Sequence, residues 1–152
     1  YSLDEIDKVV LFLRSQLDRC QVYTFSGVLG AGKTTLIQQL LQASGVQDPV
    51  TSPTFTYVNI YENKLGQTFY HFDCYRIASV DSFLEAGFGE YLYAPNSWAF
   101  IEWPQVVMPL LYQNVCHVKI DYYEGNKREL ICTIIGQRQG RPEISFMQTD
   151  QD

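Results

Sequence analysis

Charge is scarce in this 152-residue chain, and most of it is negative: 18% of residues are charged, with 17 acidic against 11 basic, for a net charge of −6. An acidic surface repels phosphate backbones. The chain is therefore not expected to grip nucleic acid by itself, and any RNA contact is expected through a partner. Long apolar runs are also missing. None approaches the ~18 or more residues of a membrane span, so no membrane insertion is expected. The opening stretch "YSLDEIDKVV" lacks the basic and apolar regions of a secretory leader, and the expected compartment is the cytoplasm. The four cysteines, Cys20, Cys74, Cys116 and Cys132, include no C-x-x-C pair. That excludes the usual zinc-cluster and thioredoxin-type spacings and predicts buried, reduced thiols. The two histidines, His71 and His117, are too few for a metal cluster. Repeats and interdomain linkers are absent too. One domain over residues 1–136 is expected, followed by a tail, 137–152, in which periodicity is lost.

What is present is a core. Hydrophobic residues make up 46% of the chain and aromatics 14%, including 11 Tyr and 9 Phe, as expected for a globular domain with a well-packed sheet. Ser2 and Glu5 have capping-box spacing, and the apolar residues from Leu3 to Leu17 recur at helical intervals, predicting a helix over 3–18. "VYTFS" (22–26) reads as a strand and "TTLIQQLLQAS" (34–44) as a helix closed by Gly45. Residues 56–63 and 67–74 read as a hairpin, 79–87 as a short helix, and 97–103 as a strand buried on both faces. A short helix follows Pro104, and 115–123 with 128–135 make a second hairpin. The pattern predicts an α/β fold: a P-loop NTPase-like three-layer domain with a mixed parallel and antiparallel sheet.

"GVLGAGKT" (27–34) satisfies G-x-x-x-x-G-K-[ST] and lies between that strand and helix. Gly27 and Gly32 permit the turn. The backbone amides of Leu29, Gly30, Ala31 and Gly32 are candidates to cradle phosphate at the helix N-terminus. Lys33 supplies a point charge to the β- and γ-phosphates, the Thr34 hydroxyl suits Mg²⁺, and Thr35 is placed to reach the α-phosphate. Asp73 and Glu102 fall at predicted strand ends, where ligands bind in doubly wound sheets. Each is either a carboxylate that holds Mg²⁺ or orients water, or a solvated strand terminus. "TSPTF" (51–55) reads as a presented switch loop or as a turn into a strand. His71 shares a strand face with Asp73 and either supports it or is a core histidine. Trp103 follows Glu102 and should point to the opposite face.

"GVLGAGKTTL", "SPTFTYVNIY", "HFDCYRI", "EAGFGEYL" and "IEWP", in this order, resemble the bacterial tRNA threonylcarbamoyladenosine biosynthesis ATPase family (TsaE, earlier YjeE) from Tyr23 to Pro104. The resemblance implies a small P-loop ATPase using ATP and Mg²⁺ that is weakly active alone and works with TsaB and TsaD subunits. That assembly modifies the adenosine next to the tRNA anticodon, with TsaD making the transfer. Carried over, Lys33 binds phosphate, Thr34 binds Mg²⁺ and Thr54 is the switch threonine. Asp73 is a Mg²⁺-site carboxylate, Glu102 a water-positioning or Mg²⁺-linked acid, and Trp103 a neighbour of the nucleotide. Val28 and Gln105 stand where the family often carries an acid. Two rival readings remain: a metabolite kinase, which the shortage of lid arginines disfavours, and a nucleotide-binding regulator without turnover.

Overall fold

The structure, a computed structural model, describes residues 1–28, 30–53, 55–136 and the backbone of 142–147. The N-terminal amphipathic pattern folds as one 3-10 turn, Leu3–Glu5, that runs into α1 (Ile6–Arg14). Glu5 reaches back to the Ser2 backbone N–H at 2.9 Å, as a capping box requires, while the Ser2 hydroxyl bonds the same carboxylate oxygen rather than the Glu5 amide. The helix is shorter than its periodicity suggests. The Ser15 hydroxyl donates to the Phe12 carbonyl at 2.5 Å, and turns over 15–19 redirect the chain into the sheet.

β1 (Val22–Ser26) leads through the glycine loop into α2 (Lys33–Ala43). β2 (Val58–Glu62) and β3 (Thr68–Asp73) form the first hairpin. α3 (Val80–Glu85) starts at Ser79, whose hydroxyl accepts the Ser82 amide at 3.1 Å. β4 (Ser97–Glu102) follows. After Pro104 the predicted helix is two single 3-10 turns, Pro104–Val106 and Met108–Leu110. β5 (Val115–Tyr122) and β6 (Arg128–Ile135) form the second hairpin. The segment expected as a tail contributes β7 (Pro142–Met147), antiparallel to β6; its remaining residues, 137–141 and 148–152, lie outside those described. Pro142 takes the first position of the strand, where no ladder bond is lost, and β7 covers a sheet edge that β6 would otherwise expose.

The described strands make one seven-stranded sheet in the order β2-β3-β4-β1-β5-β6-β7. β3, β4, β1 and β5 run parallel, and antiparallel strands flank them on both sides. On one face, Val9, Val10 and Leu13 of α1 and Leu36, Ile37, Leu40 and Leu41 of α2 bury Tyr23, Phe25, Phe69 and Phe100. On the other face, Phe83 of α3 and Val107 cover Val22, Phe72, Ala99 and Ile101. This is the three-layer α/β arrangement of a P-loop NTPase-type domain, and the aromatics are largely consumed by its core. All four cysteines are buried thiols. Among the described residues, no helix is long and apolar enough to cross a membrane. The parallel centre brings the carboxyl ends of β1, β3 and β4 to one edge of the sheet, where ligands of such folds bind.

Candidate nucleotide-binding site

The loop after β1 is shaped by glycine at two points. Gly27 has φ +143°, and a Cβ there would stand 2.1 Å from the Ile120 carbonyl oxygen of β5. Only a residue without a side chain lets the loop pass that strand. Gly32, at φ +103°, then turns the chain into α2. The first-turn amides of α2 have no intrahelical acceptors and sit at the positive end of the helix dipole, which makes this end an anion site.

The second hairpin holds the loop from outside. The Tyr122 hydroxyl donates to the Gly30 carbonyl at 3.1 Å, and Arg128 Nε donates to the Ala31 carbonyl at 3.2 Å. The Arg128 guanidinium also lies 4.1 Å over the Tyr122 ring. These residues escaped the sequence reading because the hairpin carries no local mark of a loop roughly 90 positions away, the Gly30–Tyr122 separation being 92.

Lys33 is 95% removed from solvent, at 5% exposure. Its Nζ donates to the carbonyls of Gly27 (2.7 Å) and Val28 (3.1 Å) and lies 4.0 Å from the Trp103 ring centroid. Burial lowers its pKa, and the nearby Glu102 and Asp73 carboxylates oppose that shift. The lysine therefore braces the loop while standing where phosphate charge would be received.

Thr34 links the loop to the sheet. Its hydroxyl donates to Glu102 Oε1 at 2.6 Å, between residues 68 positions apart. Glu102 is buried, and its second oxygen, Oε2, is 2.7 Å from His71 Nε2. His71 thus supports Glu102 rather than Asp73. The alternation rule correctly placed His71 and Asp73 on one face of β3. It did not say that β3 lies beside β4, which sets Asp73 opposite Glu102 and His71 diagonal to it. Asp73 accepts the Tyr75 amide at Oδ1, 3.0 Å. Burial pushes its pKa above the ordinary carboxylate range. The Tyr75 hydrogen bond opposes this, Glu102 adds to it, and His71 and Lys33 oppose it further.

Trp103 departs from expectation. It does not continue the alternation of β4, because the strand ends at Glu102 and Trp103 takes φ +53°. The indole turns back to the site, under Lys33 and 5.0 Å from the Tyr75 ring. His117 is structural: its Nδ1 is 2.7 Å from the Thr24 hydroxyl, and burial lowers its pKa.

Lys33, Thr34, Thr35, Asp73, Glu102 and Trp103 line a cleft of about 430 Å³ with Gly30, Gly32, Ser52, Tyr75 and Arg76. Ala31 lines instead an adjoining cavity of about 460 Å³, which shares Gly30, Gly32 and Thr35 and extends toward Tyr1, Asp4 and Arg128. Gly27 lines neither cavity, and Leu29 and Thr54, also expected in the site, lie outside the described residues. The Thr34 hydroxyl and the Asp73 and Glu102 carboxylates in a single cleft form a hard-oxygen donor set that suits Mg²⁺. Among the described residues, no three or more His, Cys, Asp or Glu gather into a metal site by themselves.

Comparison with known proteins agrees with this geometry. The family profile described as threonylcarbamoyl adenosine biosynthesis protein TsaE matches residues 1–130. The tRNA threonylcarbamoyladenosine biosynthesis protein TsaE of Haemophilus influenzae is 37% identical over 122 residues, covering 80% of this chain and 76% of that protein. The protein of the same name from Rickettsia felis is 30% identical over 146 residues, covering 95% and 82%. Among solved structures, that titled "Crystal structure of Bacillus subtilus YdiB" matches with a TM-score of 0.63 at 26% identity, over 88% of this chain and 80% of that one. The glycine loop, the carboxylates at the strand ends and a match running through most of the sequence converge on one conclusion: this chain belongs to the TsaE family.

Proposed function

We propose that this chain is a P-loop ATPase that supports threonylcarbamoylation of the tRNA adenosine beside the anticodon, working with TsaB and TsaD subunits. The observation that carries the hydrolytic reading is the 2.6 Å bond from Thr34 to Glu102. It ties a phosphate loop to a pair of carboxylates on adjacent strands, an arrangement that a module built only to hold a nucleotide does not require. Lys33 and the α2 amides receive the phosphates. Glu102 orders the Thr34 hydroxyl and is the acid that positions water or links to Mg²⁺, with Asp73 beside it as a Mg²⁺-site carboxylate. Thr34 and these carboxylates would hold Mg²⁺, which would supply charge neutralisation to the phosphates. The switch role of Thr54 belongs to the same proposal. Among the described residues, Arg76 is the only arginine lining the cleft, too few cations for a metabolite-kinase lid.

The test is reconstitution. Phosphate release and tRNA modification are measured with the chain alone, with the TsaB–TsaD pair alone, and with both. Weak hydrolysis by the chain, stimulated by the pair and coupled to repeated modification, is expected. Nucleotide binding with no turnover in any combination would overturn the proposal in favour of a regulator.

A further inference from the structure

Among the described residues, His71 is a fully buried titratable side chain beside the cleft that the proposed chemistry does not use. It has 0% exposure and sits on β3, in the strand next to Glu102. Its Nε2 meets Glu102 Oε2 at 2.7 Å, and its Nδ1 has no protein partner. A buried polar ring with one satisfied nitrogen is costlier than an apolar residue of the same size. Packing alone therefore does not account for histidine at this place. The return lies in the other nitrogen, because the two Glu102 oxygens are divided between Thr34 and His71.

We propose that His71 is a positioning residue: it donates from Nε2 to Glu102 Oε2 and so keeps Oε1 on the Thr34 hydroxyl. The inference rests on the ATPase reading above and deepens it. Facing a carboxylate acceptor, Nε2 carries the proton and Nδ1 is the bare nitrogen. This matches the nitrogen that lacks a partner. Without that donor Glu102 is free to rotate toward the Lys33 ammonium, its electrostatic neighbour. A Glu102–Lys33 pair takes the cation from the phosphates and the carboxylate from Thr34. His71 thus acts as the outer-shell partners of metal-site carboxylates do, and losing such partners typically costs about 10–100-fold in activity or metal affinity.

The experiment compares three variants with wild type. Gln at position 71 places an amide N–H near the Nε2 position. Asn places it near Nδ1, away from Glu102. Leu removes the donor. Expected are a kcat/KM for His71→Gln within a few fold of wild type, and losses of about 10–100-fold in kcat/KM for His71→Asn and His71→Leu. Titration of ADP with and without Mg²⁺ gives a readout independent of turnover. The gain in affinity from Mg²⁺ should shrink in the Asn and Leu variants and persist in the Gln variant. Equal behaviour of the Gln and Asn variants in both assays overturns the proposal. Nitrogen-15 NMR of the wild-type chain, which has only two histidines to assign, needs no variant. A proton on Nε2 of His71 is expected, and a proton on Nδ1 with Nε2 bare overturns the proposal even if the variants do not fold. If wild type shows no turnover with its partners, the ATPase reading falls. The NMR and Mg²⁺-dependent binding results then still decide the position of Glu102.

Discussion

Two carboxylates at the ends of neighbouring strands are held in different ways. Glu102 has both oxygens engaged by side chains inside the protein, whereas Asp73 accepts the Tyr75 amide at Oδ1. Burial raises the pKa of Asp73, so the folded chain holds that proton more tightly than the unfolded chain does. Ionised Asp73 therefore opposes folding. The opposition is absent well below its ordinary value of 3.8, grows as pH rises through that value, and is complete above the raised value. Asp73→Asn, which keeps an acceptor for the Tyr75 amide, should raise Tm at neutral pH in buffer without nucleotide or Mg²⁺. The difference should vanish in acid. Phosphate release should fall at the same time, the trade expected where a site keeps a costly charge for function. Thermal melts at two pH values check the first part, and an unchanged Tm at neutral pH would refute it. At this scale the sequence was informative but incomplete. Lys33, Thr34, Asp73 and Glu102 were found from a local motif and strand ends. The His71–Glu102 contact was not, because it depends on which strand lies beside which. Trp103 was misplaced because the alternation rule ends where a residue enters the left-handed region.

Loop and hairpin act together. The passage of Gly27 against the Ile120 carbonyl, together with the Tyr122 and Arg128 bonds to Gly30 and Ala31, makes β5 and β6 the outer wall of the phosphate loop. Gly27→Ala brings a methyl to 2.1 Å from a backbone oxygen in a strand that is paired on both sides. Neither partner yields cheaply, and Gly27 lies at a φ that side chains rarely adopt. The expected cost is about 1–3 kcal/mol in stability, as for other overpacked sites, together with loss of nucleotide affinity. Denaturant melts and calorimetric ADP titration measure the two effects; wild-type values in both would show that the loop does not need this close pass. The elements themselves were largely legible, because hydrophobic periodicity and turn residues mark β1, α2 and both hairpins locally. β7 was hidden by Pro142, and the early end of α1 by a turn that tertiary structure requires.

The chain as a whole carries a net charge of −6 around one cleft built for anions. Phosphate affinity is local, supplied by Lys33 and the α2 N-terminus, while the overall charge discourages polyanions. The isolated chain should bind tRNA weakly, and tRNA retention should need the partner subunits. A tight, salt-sensitive gel shift with the chain alone would contradict this. The parallel centre with antiparallel flanks was legible from the order of patterns; the strand order was not, since pairing across the sheet is not written in any local window. The account's central claim is that the union of phosphate loop and carboxylates hydrolyses ATP, and it is tested most directly by Glu102→Ala. Phosphate release and calorimetric nucleotide affinity are measured on the variant and on wild type, in the presence of the partner subunits. The account predicts Mg²⁺-free nucleotide binding close to wild type with turnover lost, the pattern of an interaction that matters mainly in the transition state. Turnover equal to wild type would contradict it.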